Sequence, residues 1–143
     1  MSSFFRFSEA VSLALHSMVL LAGSSSPLTV REMAERTQAS FHHLAKVFQY
    51  LRKARLVVST RGPKGGFVLA RPPEQITLLE VYEAIEGPVP KHICFLREKS
   101  CPFERCIFGG LLGEFALRFR EYLASRTLAD VCRGEIRRSM LFT

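Results

Sequence analysis

The segment from Ser40 to Arg71, SFHHLAKVFQYLRKARLVVSTRGPKGGFVLAR, carries seven Lys and Arg residues and no Asp or Glu. The wider segment from Arg36 to Pro73 holds eight basic residues and still no acid. The whole chain has 20 basic and 13 acidic residues, so the remainder, with 12 against 13, has a net charge of −1. The net charge of +7 is therefore concentrated in one segment, as expected of a surface that neutralises phosphates.

The first half of this segment has the spacing of a helix with one buried face. Apolar residues recur at i, i+3, i+4 and i+7, at Leu44, Val47, Phe48 and Leu51. Short or hydrogen-bonding groups occupy the other positions, and they suit base edges and phosphates. We expect a helix from Ser40 to Ala54 whose DNA-contacting residues are Ser40, His42, His43, Lys46 and Gln49.

The second half of the segment has the pattern of a β-hairpin. Apolar, strand-like runs at Leu56–Val58 and Phe67–Ala70 flank the sequence Arg61-Gly-Pro-Lys-Gly-Gly66, whose Gly and Pro residues favour a tight turn. Arg61 and Lys64 would then lie at the tip of the hairpin. Such a tip can enter a minor groove or contact a phosphate backbone, so both residues are predicted to bind DNA.

A second helix is predicted directly before the basic one. Thr29-Val-Arg-Glu32 is a capping box, and a short helix from Val30 to Thr37 follows it. Ser40 is a good N-cap for the next helix. The order of short helix, turn, basic helix and basic hairpin predicts a winged helix-turn-helix, in a fold that is mainly α with a small β-hairpin wing.

These residues resemble a known family. LRKARLV followed by TRGPKGGFVLAR is similar to the signature of the IscR/NsrR family of bacterial winged-helix transcription regulators, the Rrf-two type. The family pattern has Gly where this chain has Arg55 and Lys64, and the resemblance extends from the first helix to about residue 130. It implies a homodimer that binds a double-stranded DNA operator.

The rest of the chain is expected to support assembly. A helix from Phe7 to Ala22 is apolar nearly all round, so a partner subunit could cover its second side. A helix is also expected over residues 107–125, and its aromatic stripe matches the dimerisation helix that the resemblance implies. The stripe consists of Phe108, Leu111, Leu112, Phe115, Phe119, Tyr122 and Leu123. The predicted parts are a DNA-binding domain at 1–87, a cysteine loop at 88–106, and the dimerisation helix with the C-terminal segment at 107–143.

Three thiols in the loop, Cys94, Cys101 and Cys106, are spaced C-x6-C-x4-C and can converge on one soft metal. Zinc is an alternative, although the C-x2-C pairs of common structural zinc sites are missing. The resemblance implies an iron–sulfur cluster, [2Fe–2S] or [4Fe–4S], with a fourth ligand that differs among members. Candidates for that ligand are Glu9, Ser12 and His92, and Cys132 is expected to be a buried apolar cysteine.

Several classes of function are disfavoured. The chain has no nucleophile elbow, P-loop or metal-hydrolase motif, so we do not expect an enzyme. It has no secretory signal and no apolar run long enough to span a bilayer, which predicts a cytoplasmic protein that does not use a membrane. We expect a sequence-specific regulator that senses redox state, nitric oxide or iron–sulfur status through the cluster. The alternative is a cluster-free regulator controlled by a protein partner or a small molecule.

Overall fold

Six α-helices and one β-hairpin make up the computed structural model, which describes residues 8–90 and 101–133. The elements before the cysteine loop are α1 (Glu9–Ala22), α2 (Val30–Thr37), α3 (Phe41–Lys53), β1 (Val57–Thr60), β2 (Gly66–Leu69), a 3₁₀ turn (Pro73–Gln75) and α4 (Leu78–Glu86). Those after it are α5 (Leu111–Ser125) and α6 (Leu128–Cys132). Within these ranges, no helix combines the length and the apolar character needed to cross a membrane.

The helix starts follow from their capping residues. At α2, Thr29 Oγ1 accepts a hydrogen bond from the Glu32 backbone N–H (3.1 Å), while the Glu32 carboxylate accepts one from the Thr29 N–H (2.7 Å). The predicted capping box is therefore confirmed, and α2 has the predicted bounds. Thr77 and Thr127 form equivalent boxes at the starts of α4 and α6. Each box satisfies backbone donors that the first turn of a helix leaves unpaired.

Helix α1 lies at the centre of the fold and packs against α3, α4 and α6. Its fully buried residues include Val11, Ala14 and Met18, which join the core together with Leu44 and Phe48 of α3. The expectation that a partner subunit covers its second side needs correction in part, because α6 of the same chain supplies some of that cover. A groove of about 640 Å³ remains beside the half-exposed residues of α1.

The hairpin is joined to the helix-turn-helix by backbone hydrogen bonds. Strands β1 and β2 pair antiparallel, with Val57 opposite Leu69 and Thr60 opposite Gly66. Leu28, just before α2, forms an isolated bridge with Phe67: the Leu28 N–H donates to the Phe67 carbonyl (3.1 Å), and the Phe67 N–H donates to the Leu28 carbonyl (2.7 Å). The residue just before the cap of α2 is therefore joined to β2 through this single bridge.

An ion pair ties the end of the wing to α4. Arg71 donates from Nη2 to Oε1 of Glu80 at 2.6 Å, and Glu80 also belongs to the capping box of α4. Burial alone would raise the pKa of Glu80, but hydrogen bonds from Arg71 and from the Thr77 backbone outweigh it, so the pKa lies below its ordinary value. The carboxylate thus stays ionised in the form that holds both partners.

The helix predicted from residue 107 begins later, at Leu111, so that prediction was wrong at its start. Residues 107–110 form turns instead, in which Gly109 has a φ of 61° and its N–H donates to the Cys106 carbonyl (2.9 Å). Two consecutive glycines, Gly109 and Gly110, favour a turn over helix at this point. Further along α5, Leu112, Ala116 and Leu123 are buried.

Candidate nucleic-acid interface

Helix α3 presents the expected polar residues on the side opposite its core residues. Ser40 caps the helix, and its Oγ accepts a hydrogen bond from the His43 N–H at 3.4 Å. The side chains of His42, Lys46 and Gln49 are exposed, whereas Leu44, Val47, Phe48 and Leu51 are buried. The four buried residues anchor the helix in the core and leave its polar side open to a partner.

His43 has a different environment from the other predicted contacts. It is half-buried, and its Nδ1 lies 3.7 Å from Oε2 of Glu9 in the first turn of α1. Glu9 itself is 75% exposed. Helix α3 therefore contacts the start of α1 through this pair, a contact between residues 34 positions apart that no local pattern could indicate.

The wing presents its two predicted cations at an exposed tip. Arg61 and Lys64 are both exposed, and the turn between them is closed by a hydrogen bond from the Gly65 N–H to the Gly62 carbonyl (2.9 Å). Directly after the turn, a Cβ atom at Gly66, the first residue of β2, would lie 2.6 Å from the backbone carbonyl of Leu28. The basic tip is thus held at a fixed distance from the start of α2.

Sequence reasoning missed an aromatic residue at the start of α3. Phe41 is 42% exposed, and the guanidinium carbon of Arg31 in α2 lies 5.6 Å from the centroid of its ring. The spacing of Phe41 with Leu44 and Phe48 is that of a buried position, so periodicity alone does not single it out. Only the packing of α2 against α3 brings Arg31 over the ring.

The cysteine loop falls partly within the described residues. Cys101 is half-buried and Cys106 is exposed, while Cys94 and the candidate ligand His92 lie outside the described residues. Of the other candidates, Glu9 has an exposed carboxylate, and Ser12 lies beside His16, whose Nδ1 is 3.4 Å from Ser12 Oγ. Across residues 8–90 and 101–133, no three His, Cys, Asp or Glu side chains are grouped so that they could hold a metal ion.

Cys132 does not occupy the buried site that was expected. It is exposed at the end of α6, where its Sγ lies 3.5 Å from the Val19 carbonyl oxygen, to which it can donate. Partial burial against α1 raises the pKa of the Cys132 thiol. The buried residues of α6, Leu128 and Ala129, lie at its start, whereas Cys132 is its last residue and is exposed.

A helix-turn-helix followed by a hairpin with a basic tip defines the winged-helix class of transcriptional regulator. The sequence pattern of the Rrf2 family, described as an iron-dependent transcriptional regulator, matches residues 7–134. The chain belongs to the Rrf2 family. It is a transcriptional regulator and not an enzyme.

Known relatives have the same type of role. The HTH-type transcriptional regulator IscR of Sodalis glossinidius is 33% identical over 117 residues, which cover 82% of this chain and 71% of the relative. Among solved structures, CymR, the global cysteine regulator of B. subtilis, has a TM-score of 0.76 at 29% identity and covers 90% of this chain and 97% of its own. IscR of T. potens has a TM-score of 0.74 at 27% identity, with 97% and 94% covered.

Proposed function

We propose that the protein is a homodimeric regulator that binds a specific double-stranded DNA operator with α3 in the major groove. The wing lies at the adjacent backbone or minor groove. The observation that carries this proposal is the exposure of basic and polar side chains on α3 and the hairpin, within a chain segment, Arg36 to Pro73, that contains no Asp or Glu. The contacts proposed on this surface are Ser40, His42, His43, Lys46, Gln49, Arg61 and Lys64.

Each type of side chain on this surface suits one part of a duplex. Lys46, Arg61 and Lys64 carry positive charge into the solvent and can neutralise phosphates. His42 and Gln49 can donate to and accept from base edges in the major groove, where each base pair has its own pattern. The charged groups would supply affinity for any DNA, and the polar groups of α3 would supply sequence preference.

Selection of duplexes from a randomised pool tests this function directly. The bound fraction should converge on a two-fold symmetric sequence, because a symmetric dimer binds two matching half-sites. The selected duplex should bind at least about 10³-fold more tightly than a scrambled one at physiological salt. Equal affinity for both duplexes would contradict the proposal.

The proposed dimer interface is the exposed apolar side of α5. Leu111, Phe115 and Tyr122 recur at helical spacing and are 57%, 53% and 44% exposed. Phe119 is only half-buried and packs edge-on against Tyr82 of α4, with ring centroids 5.4 Å apart, so it serves the chain's own core. An exposed apolar side next to the buried face of a helix suits contact with a second copy of itself.

We propose further that Cys94, Cys101 and Cys106 hold an iron–sulfur cluster through which the regulator responds to redox state, nitric oxide or iron–sulfur status. The two described thiols fit this role because Cys106 is exposed, Cys101 is half-buried, and both precede α5. Arg105 lies next to Cys106 in the chain, where its positive charge would offset the negative charge of a bound cluster. Among the described candidates for a fourth ligand, the exposed carboxylate of Glu9 suits iron better than the hydroxyl of Ser12.

A groove beside α1 favours the alternative, in which a small molecule controls a cluster-free regulator. The groove holds about 640 Å³, within the range of small-molecule sites, and it combines apolar residues with Arg36 and His16. Iron and sulfide analysis after anaerobic purification separates the two alternatives. Stoichiometric iron and sulfide with visible thiolate-to-iron absorption supports the cluster, whereas metal-free protein that responds to a small molecule supports the groove.

A further inference from the structure

Phe41 is an aromatic residue at a place where the DNA-binding surface otherwise has polar side chains. It is the first residue of α3, directly after the capping Ser40, and 42% of it is exposed. The N-terminal residues of a recognition helix are the ones that contact base edges. A large apolar group at this position therefore has a base edge as its natural neighbour.

Two neighbouring groups hold the Phe41 ring in place. The guanidinium carbon of Arg31 lies 5.6 Å from the ring centroid, a cation–π contact. The His42 ring meets it edge-on, with centroids 5.5 Å apart and an interplanar angle of 81°. The ring is thus positioned at the surface instead of turning into the core with Leu44 and Phe48.

A groove of about 560 Å³ separates Phe41 from the wing. Its lining includes Arg31, Phe41, Ser59 and Thr60. With α3 in the major groove and the wing at the next groove, the sugar–phosphate strand between them passes over this space. A guanidinium and two hydroxyls suit its phosphates, and Phe41 borders it on the side of the major groove.

Resting on the proposed DNA binding, we infer that Phe41 determines specificity by contacting the C5 methyl group of one thymine in each half-site. Arg31 positions the ring and binds the adjacent phosphate. The thymine methyl is the apolar group that unmodified DNA offers in the major groove, whereas the other base edges present polar atoms that a phenyl ring would desolvate. The methyl also lies close to its own strand's backbone, where the groove places Phe41.

Deoxyuridine scanning tests this contact, because uracil differs from thymine only by the missing methyl. In a duplex selected from a random pool, each thymine is replaced singly and the Kd is measured. The affinity of the wild-type protein should fall about fourfold when one particular thymine of each half-site is replaced. This factor corresponds to roughly 0.8 kcal/mol for one buried methyl-sized group. Phe41→Ala should bind the unsubstituted duplex more weakly than wild type by a similar factor. Replacing the sensitive thymine with deoxyuridine should not weaken its binding further. Phe41→Leu should retain part of the discrimination.

Matched variants separate this contact from general effects. Tyr50→Ala removes an aromatic residue that is 46% exposed nearer the other end of α3, and it should keep the wild-type deoxyuridine profile. Arg31→Gln should weaken binding to the unsubstituted duplex and to the deoxyuridine duplex, and it should reduce the preference for thymine over deoxyuridine. Unfolding temperatures confirm that the variants are folded. An unchanged preference in Arg31→Gln would overturn the positioning role.

Two failures can be told apart. In the first, the wild-type protein is sequence-selective and Phe41→Ala has the same deoxyuridine profile as wild type. This result would overturn the inference about Phe41 and leave the proposed function intact. Wild type that binds every duplex equally would overturn the proposed function, and the inference with it.

Discussion

At the residue scale, Gly66 lies where the neighbouring backbone leaves no room for a side chain. A Cβ atom there would meet the Leu28 carbonyl carbon and oxygen at 2.6 Å, and both are backbone atoms that cannot rotate away. We expect Gly66→Ala to lower the free energy of unfolding by about 2 kcal/mol, because the bridge between Leu28 and Phe67 must open or shift and because the φ of 154° at Gly66 disfavours a side chain. Chemical denaturation measures this change.

Gly113 in α5 is the matched control for that substitution. A Cβ atom at Gly113 would meet nothing within 4 Å, and the residue lies in the first turn of α5, where the smaller backbone freedom of Ala still favours it over Gly. Gly113→Ala should therefore raise the free energy of unfolding by about 1 kcal/mol. If both variants lowered stability to the same extent, the close approach at Gly66 would not be the cause.

Single residues also show where sequence reasoning succeeds and where it ends. Thr29 and Glu32 predicted the start of α2 because a capping box is built from neighbours in the chain. The contact of Glu9 with His43 and that of Arg31 with Phe41 depend on how helices pack, so no local pattern contains them. Cys132 was misplaced because it ends α6 at the surface, although its spacing from Leu128 and Ala129 is that of a buried face.

At the scale of elements, the hairpin was predicted within two residues at each strand end, because Gly and Pro mark its turn. The late start of α5 was missed because the aromatic spacing continues through Phe108, although the Gly109-Gly110 pair ends the helical stretch. The split of α5 into a buried side and an exposed side was also not readable. Both sides are apolar, and only packing distinguishes Phe119 from Phe115.

The wing yields a prediction about salt. Replacing Arg61 and Lys64 together with Ala should weaken binding to every duplex, because binding to phosphates carries no sequence information. The slope of log K against log salt should flatten by roughly one for each phosphate that the variant no longer neutralises. A titration across salt concentrations measures it, and an unchanged slope would remove the wing from the interface. Glu104→Gln, at an exposed site outside the acid-free segment, serves as the control.

Helix α5 yields a prediction about assembly. Phe115→Asp places a charge in the proposed apolar interface and should give a folded monomer in sedimentation, at a cost of several kcal/mol to association. Ala124→Asp adds the same charge on the opposite side of the helix, at an exposed position, and should remain dimeric. A dimeric Phe115→Asp protein would show that the exposed side of α5 is not the interface.

At the scale of the whole molecule, Cys94, Cys101 and Cys106 lie outside the chain segment proposed to bind DNA, which ends at the wing. A protein in which Cys94, Cys101 and Cys106 are all Ala should therefore fold, dimerise and bind the operator in one fixed state. It should lack a visible chromophore and a response to oxidant or nitric oxide. Cys132→Ala should keep the chromophore and the response, because Cys132 is not among the proposed cluster ligands and its thiol contacts the Val19 carbonyl of α1.

Cluster-loaded and cluster-free wild type, compared anaerobically on the same operator, provide the decisive measurement. We expect affinities that differ by about tenfold or more, which corresponds to a coupling of roughly 1.4 kcal/mol. Equal affinities in the two states would contradict the sensing role, whatever the absorption spectrum showed.

The two hydrogen bonds between Leu28 and Phe67 have a consequence for how any signal could reach DNA. They join the wing to the start of α2, which packs against α3. We therefore expect α3 and the wing to move together as one rigid body. In a dimer, the position of one subunit's α3 and wing relative to those of the other subunit, measured along the duplex, can still change. One DNA turn is about 34 Å, so a displacement of about 8 Å turns a helix from the groove toward the backbone. We therefore expect an effector to change the preferred spacer length between half-sites and to leave the bases read within each half-site unchanged.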